Sequence, residues 1–82
     1  MSAIRDVVEV VARALTDHAD QVLVRETEHR GTTLVELFVA PGELGKVIGR
    51  QGRTAAALRT LAATAGEKVG KTVTLEIRDG RP

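Results

Sequence analysis

The stretch Gly45-Lys46-Val47-Ile48-Gly49-Arg50-Gln51-Gly52-Arg53 decides how the rest of the chain is read. Apolar Val47 and Ile48 lead into a Gly-x-x-Gly turn with Arg50 and Gln51 at its tip, and Arg53 stands where a long Ala- and Leu-rich pattern begins. Glycine takes positive φ without steric cost and leaves its backbone N–H uncovered. Gly49 and Gly52 therefore allow a tight helix-to-helix turn that a phosphate backbone can approach. The helix that follows adds four free N–H groups and the positive end of its dipole. Glycines at such corners often serve chain reversal alone. A turn with only that duty has no need of Arg50 and Gln51 between its glycines, or of Lys46 and Arg53 beside them.

Outward from the turn, residues 54–68 carry the strongest helical pattern in the chain, with an expected buried stripe of Leu58, Leu61, Ala62, Ala65 and Val69. Gly70 is placed to end that helix. Residues 72–78 then alternate, with Val73, Leu75 and Ile77 inward and Thr74 and Glu76 outward, as a strand does. On the other side of the turn, residues 43–48 make a helix of one or two turns that depends on packing Leu44, Val47 and Ile48. Pro41 closes the extended segment before it. Residues 32–39 read as a strand with Val35, Leu37 and Val39 on one side and Leu34, Glu36 and Phe38 on the other. Residues 21–29 form its hairpin partner across Arg30-Gly31. Residues 3–18 repeat Ile4, Val7, Val8, Val11, Ala14, Leu15 and His18 at helical spacing behind Ser2 as N-cap.

The order is α-β-β-α-α-β, and the third strand returns after a two-helix crossover. Such a strand lies parallel to one strand of the hairpin. The expectation is an α+β fold, a three-stranded mixed sheet with three helices on one face. Val22 and Val24, or Leu34 and Phe38, are the residues expected on the uncovered face.

Composition narrows the functions open to this fold. Eighty-two residues make one small domain with room for one core and hardly for an enclosed pocket. With no cysteine there is no thiol nucleophile, disulfide or Cys-type zinc site. His18 and His29 stand eleven residues apart without a Cys partner, and Asp17 and Asp20 look like helix-end and turn residues rather than a catalytic pair. Neither phosphate-loop glycine pattern is present. These readings exclude an enzyme, a metal site and a cofactor. The first residues include Asp6 and Glu9 and lack the basic start of a signal peptide, and no window approaches 18 apolar residues. A soluble cytoplasmic chain with no membrane segment is expected.

Net charge is only +1, but it is unevenly placed: residues 1–40 carry four Arg/Lys against seven Asp/Glu, and residues 41–71 carry six against two. This is the form of a modest electrostatic footprint on one face. Phe38 is the single aromatic residue, so a platform that stacks bases on aromatic rings is excluded.

Val47-Ile48-Gly49-Arg50-Gln51-Gly52 resembles the Gly-x-x-Gly signature of KH domains, and the element order is similar to their type II arrangement. The continuation Arg53-Thr54-Ala55-Ala56-Ala57-Leu58-Arg59-Thr60-Leu61 resembles the small bacterial single-KH proteins of the KhpA family, so that residues 1–82 read as a single KH domain. The resemblance implies single-stranded RNA as ligand, with the loop gripping about four nucleotides of backbone and an aliphatic groove taking the bases. Carried over, Gly49, Arg50, Gln51 and Gly52 match the loop, Ile48 the apolar residue at its base, and Lys46 and Arg53 the basic surround. The family often has Lys where this chain has Arg50, which retains the charge. The resemblance further implies an RNA chaperone or post-transcriptional regulator. It permits both a homodimer and a complex with a second, larger KH protein of the KhpB (Jag) type, and in some bacteria it extends to control of cell shape and cell wall. The alternative reading is a KH fold used as a protein-interaction module with no RNA contact of its own.

Overall fold

Ile4, Val8 and Ala12 recur every four residues and are fully buried, which makes one apolar stripe on a helix, α1, from Ala3 to Leu15. In the computed structural model, which describes residues 2–82, α1 is followed by β1 (Leu23–His29), β2 (Thr32–Val39), α2 (Leu44–Ile48), α3 (Arg53–Glu67) and β3 (Thr72–Asp79). Met1 of the expected 1–82 domain lies outside the described residues. Ser2 caps α1 as expected, its hydroxyl accepting the Arg5 N–H at 3.1 Å.

The sheet runs β1-β2-β3, with β1 antiparallel and β3 parallel to β2. The hairpin register pairs His29 with Thr32, so only Arg30 and Gly31 bridge the strands, both at positive φ as a tight hairpin turn of the primed type requires. The alternation read from β2 holds: Val35, Leu37 and Val39 enter the core with Ile4, Val8, Val47, Leu58 and Leu75. The core lies between the sheet and the helices, where α1 and α3 pack on each other and α2 rests against α3 and β3. Type II KH topology is thereby realised element by element.

Four local expectations are corrected. The first helix ends at Leu15 rather than residue 18: Thr16 is extended, and a single 3-10 turn over Ala19–Gln21 separates it from β1. A distant carboxylate, described below, captures the next two backbone N–H groups and outweighs the local helical pattern. On α3 the buried residues are Ala55, Leu58, Ala62 and Gly66, while Leu61 and Val69 are exposed. Alanine and glycine set this phase because they let the helix come close. A Cβ at Gly66 would sit 2.8 Å from the Lys71 carbonyl oxygen and 2.5 Å from a Val73 methyl. Gly70 does end the helix, donating to Glu67 while Lys71 donates to the Gly66 carbonyl at 2.8 Å, the paired bonds of a glycine C-cap. Val22 and Val24 belong to the core rather than to the uncovered face.

The fourth correction concerns Phe38, which lies on the face away from the helices yet is buried. Glu36, two residues earlier on the central strand, accepts from Arg25 Nε on β1 at 3.1 Å and from Arg78 Nε on β3 at 3.0 Å. The Arg25 guanidinium is also 5.4 Å from the Phe38 ring centre, within cation–π range. A polar clasp across all three strands thus covers the single aromatic ring. The Arg25 hydrogen bond holds the Glu36 carboxyl below its ordinary 4.5 against the opposing pull of burial, with Arg78 adding to the effect. In the unfolded chain Glu36 takes up its proton first as pH falls, so the clasp contributes fully above about 4.5 and its contribution is lost as pH drops through the lower folded value. Glu36→Gln should therefore lower the urea midpoint at pH 7, and the gap from the parent should shrink when both are measured well below pH 4.5.

Candidate nucleic-acid interface

Parallel pairing of β3 with β2 decides where the Gly-x-x-Gly turn falls. The chain leaves β2 at Val39 and must re-enter at Thr72, which pairs with Thr32 at the other end of the sheet. α2 and the turn lie at the Val39 end, and α3 makes the return. The end of β3 comes back to the same place, where Gly80 N–H donates to the Val39 carbonyl at 2.8 Å. β1 also starts there, since Leu23 pairs with Phe38, so the segment after α1 arrives beside α2.

Within the turn each glycine answers a different need. Gly49 sits at φ 77° and ψ 174°, a region closed to side-chain-bearing residues, and a Cβ there would lie 2.6 Å from the Thr54 Cβ. The two helices can approach this closely only over a glycine. Gly52 is left-handed at φ 72° and ψ 13°, and a Cβ there would meet nothing within 4 Å. Between them Gln51 is also left-handed, at φ 57° and ψ 26°. Arg50 and Gln51 are exposed at the tip, and Arg53 donates to the Gln51 side-chain carbonyl at 3.0 Å. No side chain caps α3 at Gly52; the Arg53 N–H donates to the Arg50 carbonyl, and the positive end of the α3 dipole faces the loop. Among the described residues, Arg50, Arg53 and Arg59 take part in no ion pair.

Ile48 is half-buried at the end of α2, at the base of the loop. Lys46 differs from the other expected site residues. Its ammonium is bound by the Asp17 carboxylate and stands 3.9 Å from Glu43 Oε1. The Asp17 hydrogen bond raises the Lys46 pKa, and the same bond lowers that of Asp17.

Glu43 organises this side of the loop and went unread as a site residue in the sequence, where it passed for the first residue of a short helix. It stands just before α2, buried, and its carboxylate accepts the Asp17 N–H at 2.7 Å and the His18 N–H at 3.3 Å, with His18 Nδ1 at 3.1 Å. Burial pushes its pKa up, but the His18 ring bond and the two backbone N–H bonds together outweigh it and hold the carboxyl below 4.5. This is the carboxylate that stops α1 at Leu15. The partners lie 25 and 26 residues apart in sequence, so no local pattern signals them.

An apolar concavity lies away from the loop, along the seam of α1 and α3, lined by Val7, Val10, Val11, Leu61 and Asp6. No group of three or more His, Cys, Asp or Glu among the described residues is placed to hold a metal ion. No described helix is long and apolar enough to cross a membrane.

Residues 5–77 match the family model described as KhpA/KhpB, KH domain. The chain belongs to the KhpA/KhpB KH-domain family. It is 54% identical to the RNA-binding protein KhpA of Aquifex aeolicus over 77 residues, covering 94% of this chain and 98% of that protein. With the RNA-binding protein KhpA of Caldanaerobacter subterraneus it shares 46% identity over 72 residues, 88% of this chain and 96% of the relative. With that of Halalkalibacterium halodurans it shares 45% over 75 residues, 92% and 99% of the two chains. No solved structure matches the chain. The KhpA/KhpB KH domain is a non-catalytic RNA-binding module, and membership supports RNA binding as the general function.

The two loop glycines should separate in a melting experiment. Gly52→Ala meets open space and should lower stability by about 1–2 kcal/mol, the usual penalty of a left-handed alanine. Gly49→Ala combines a closed backbone region with a collision against Thr54 and should lower it further, read as a lower midpoint in thermal circular dichroism.

Proposed function

We propose that residues 1–82 act as one KH domain that grips single-stranded RNA with the Gly49–Gly52 loop. The observation that carries this reading is the open tip. Exposed Arg50 and Gln51 stand between two positive-φ glycines at an uncapped helix N-terminus, beside Arg53. Backbone N–H groups and the dipole offer hydrogen bonds to a phosphate, and the arginines offer full charges. Ile48 supplies apolar surface at the base of the loop. Such contacts position a strand without reading its sequence, so sequence preference is limited. Few phosphates are neutralised, which makes the affinity of one domain low and calls for avidity.

The protein on this reading is a cytoplasmic RNA chaperone or post-transcriptional regulator that works with a second KH unit. A second copy of the chain is one such unit, and a larger KhpB-type protein is the other. Val10 is 68% exposed and Leu61 44% exposed on the apolar seam of α1 and α3, which supports association through a helical face rather than through the loop.

Replacing Arg50 and Gln51 together with Asp tests the RNA contact. Binding to a single-stranded oligonucleotide should disappear while the melting midpoint stays near that of the parent, because both side chains are exposed. For the parent, log affinity against log salt should have a slope of about −1.4 to −2.8, two to four phosphates at about −0.7 each. A double-Asp chain that binds as tightly as the parent puts the RNA site elsewhere on the chain, whereas a parent that binds no RNA passes the assignment to the interaction-module alternative. Light scattering tests self-association separately, with an expected mass near twice 8.7 kDa. A monomeric mass across a hundredfold concentration range, roughly the span in which a weak dimer would appear, removes the homodimer.

A further inference from the structure

The cations around the loop are not equivalent. Arg50, Arg53 and Arg59 lie at the tip and along α3 without a carboxylate partner among the described residues. Lys46, on α2 three residues before Gly49, faces two carboxylates, Asp17 and Glu43. One ammonium between two carboxylates leaves a net charge of −1 on that side of the loop. Glu43 is fixed there by burial and its three hydrogen bonds, and its hold on the Asp17 N–H sets Asp17 against Lys46. The outer pair remains accessible, with side-chain exposures of 71% for Asp17 and 43% for Lys46. A phosphate approaching Lys46 therefore meets a compensated cation within a net negative cluster.

We propose that Asp17 is a counter-ion that withholds Lys46 from the RNA backbone and so confines phosphate contacts to the Arg50 and Arg53 side of the loop. The inference rests on the RNA reading and deepens it. Asp17 is a positioning residue, acting on the nucleic acid through Lys46 and through the sign of the local field. It also lowers the affinity the loop would otherwise have, and it removes Lys46 from the contacts expected of the basic surround.

The test uses the whole chain, a short single-stranded oligouridylate and a salt titration. Asp17→Asn keeps the backbone N–H that Glu43 accepts, removes the charge and frees Lys46. Affinity should rise about fivefold near 0.1 M monovalent salt, and the slope should steepen by about 0.7, the signature of one added phosphate contact on a single strand. Lys46→Gln in the parent should leave affinity within about twofold, because its charge is already compensated, and in the Asp17→Asn background it should remove the gain; the double-mutant cycle isolates this coupling. A merely structural role for Asp17 would alter the melting midpoint and leave the salt slope unmoved. Asp17→Ser should reproduce the gain and guards against an effect peculiar to asparagine. An unchanged affinity and slope in both Asp17 variants overturns the inference, as does a parent Lys46→Gln chain that loses as much affinity and slope as Arg50→Gln. A parent that binds no oligouridylate defeats the RNA reading and this inference together, whereas a parent that binds with both Asp17 variants indifferent defeats this inference alone.

Discussion

The parallel pairing of β3 with β2 is the constraint from which the rest of the molecule follows. Two parallel neighbours cannot be joined by a hairpin, so the chain after Val39 has to travel back along the sheet before Thr72 can pair with Thr32. An eight-residue strand is about 26 Å long at 3.3 Å per residue, and a fifteen-residue helix about 22 Å at 1.5 Å per residue, so α3 alone nearly makes the return. Its N-terminus is thereby placed at the end of the sheet where β2 and β3 finish. The Gly-x-x-Gly loop, the start of β1 and the segment after α1 meet there for the same topological reason.

The parts of the molecule legible in the sequence are those whose signals are local. The strands announced themselves because alternation is local: Val35, Leu37 and Val39 on β2, and Val73, Leu75 and Ile77 on β3, point where their spacing says. The Gly49 and Gly52 turn was legible because helix-to-helix corners have few chemistries. The stripe of α3 was read correctly at Leu58, Ala62 and Ala65 and wrongly at Leu61 and Val69, where hydrophobicity was weighed above size. Leu61 and Val69 are more apolar than Ala55 or Gly66, yet the small residues lie on the sheet side, where closeness is needed, and the larger ones are left in solvent. The end of α1 was beyond any local reading. Periodicity through His18 is sound as far as it goes, but the Glu43 carboxylate takes two backbone N–H groups from 25 and 26 residues away.

Charge shows the same division between what composition offers and what folding leaves available. Residues 41–71 contain six cations, which suggests a broad basic face. Folding commits Lys46 to Asp17 and Lys71 to Glu28, and the Glu28 hydrogen bond raises the Lys71 pKa. Among the described residues this leaves Arg50, Arg53 and Arg59 at the loop and along α3, and Lys68 at the end of α3, outside any ion pair. An arginine presents a planar fork that can bond two phosphate oxygens at once, so the unpaired cations nearest the loop, Arg50 and Arg53, have the shape best suited to a phosphate.

The outer face of the sheet completes the argument by exclusion. An RNA platform made of strands needs exposed aromatic rings and unneutralised positive charge beside them. Here the only aromatic ring is buried, and the two arginines flanking it on β1 and β3 share the carboxylate of Glu36. That face is turned to holding three strands in register, and the exposed arginines of the Gly49–Gly52 loop stand at the end of the sheet where β2 and β3 finish. A domain this small separates the two duties in space. The clasp lies on the face of the sheet away from the helices and takes no part in the Gly49–Gly52 turn, so substitutions at the exposed tip leave the contacts that hold the sheet intact.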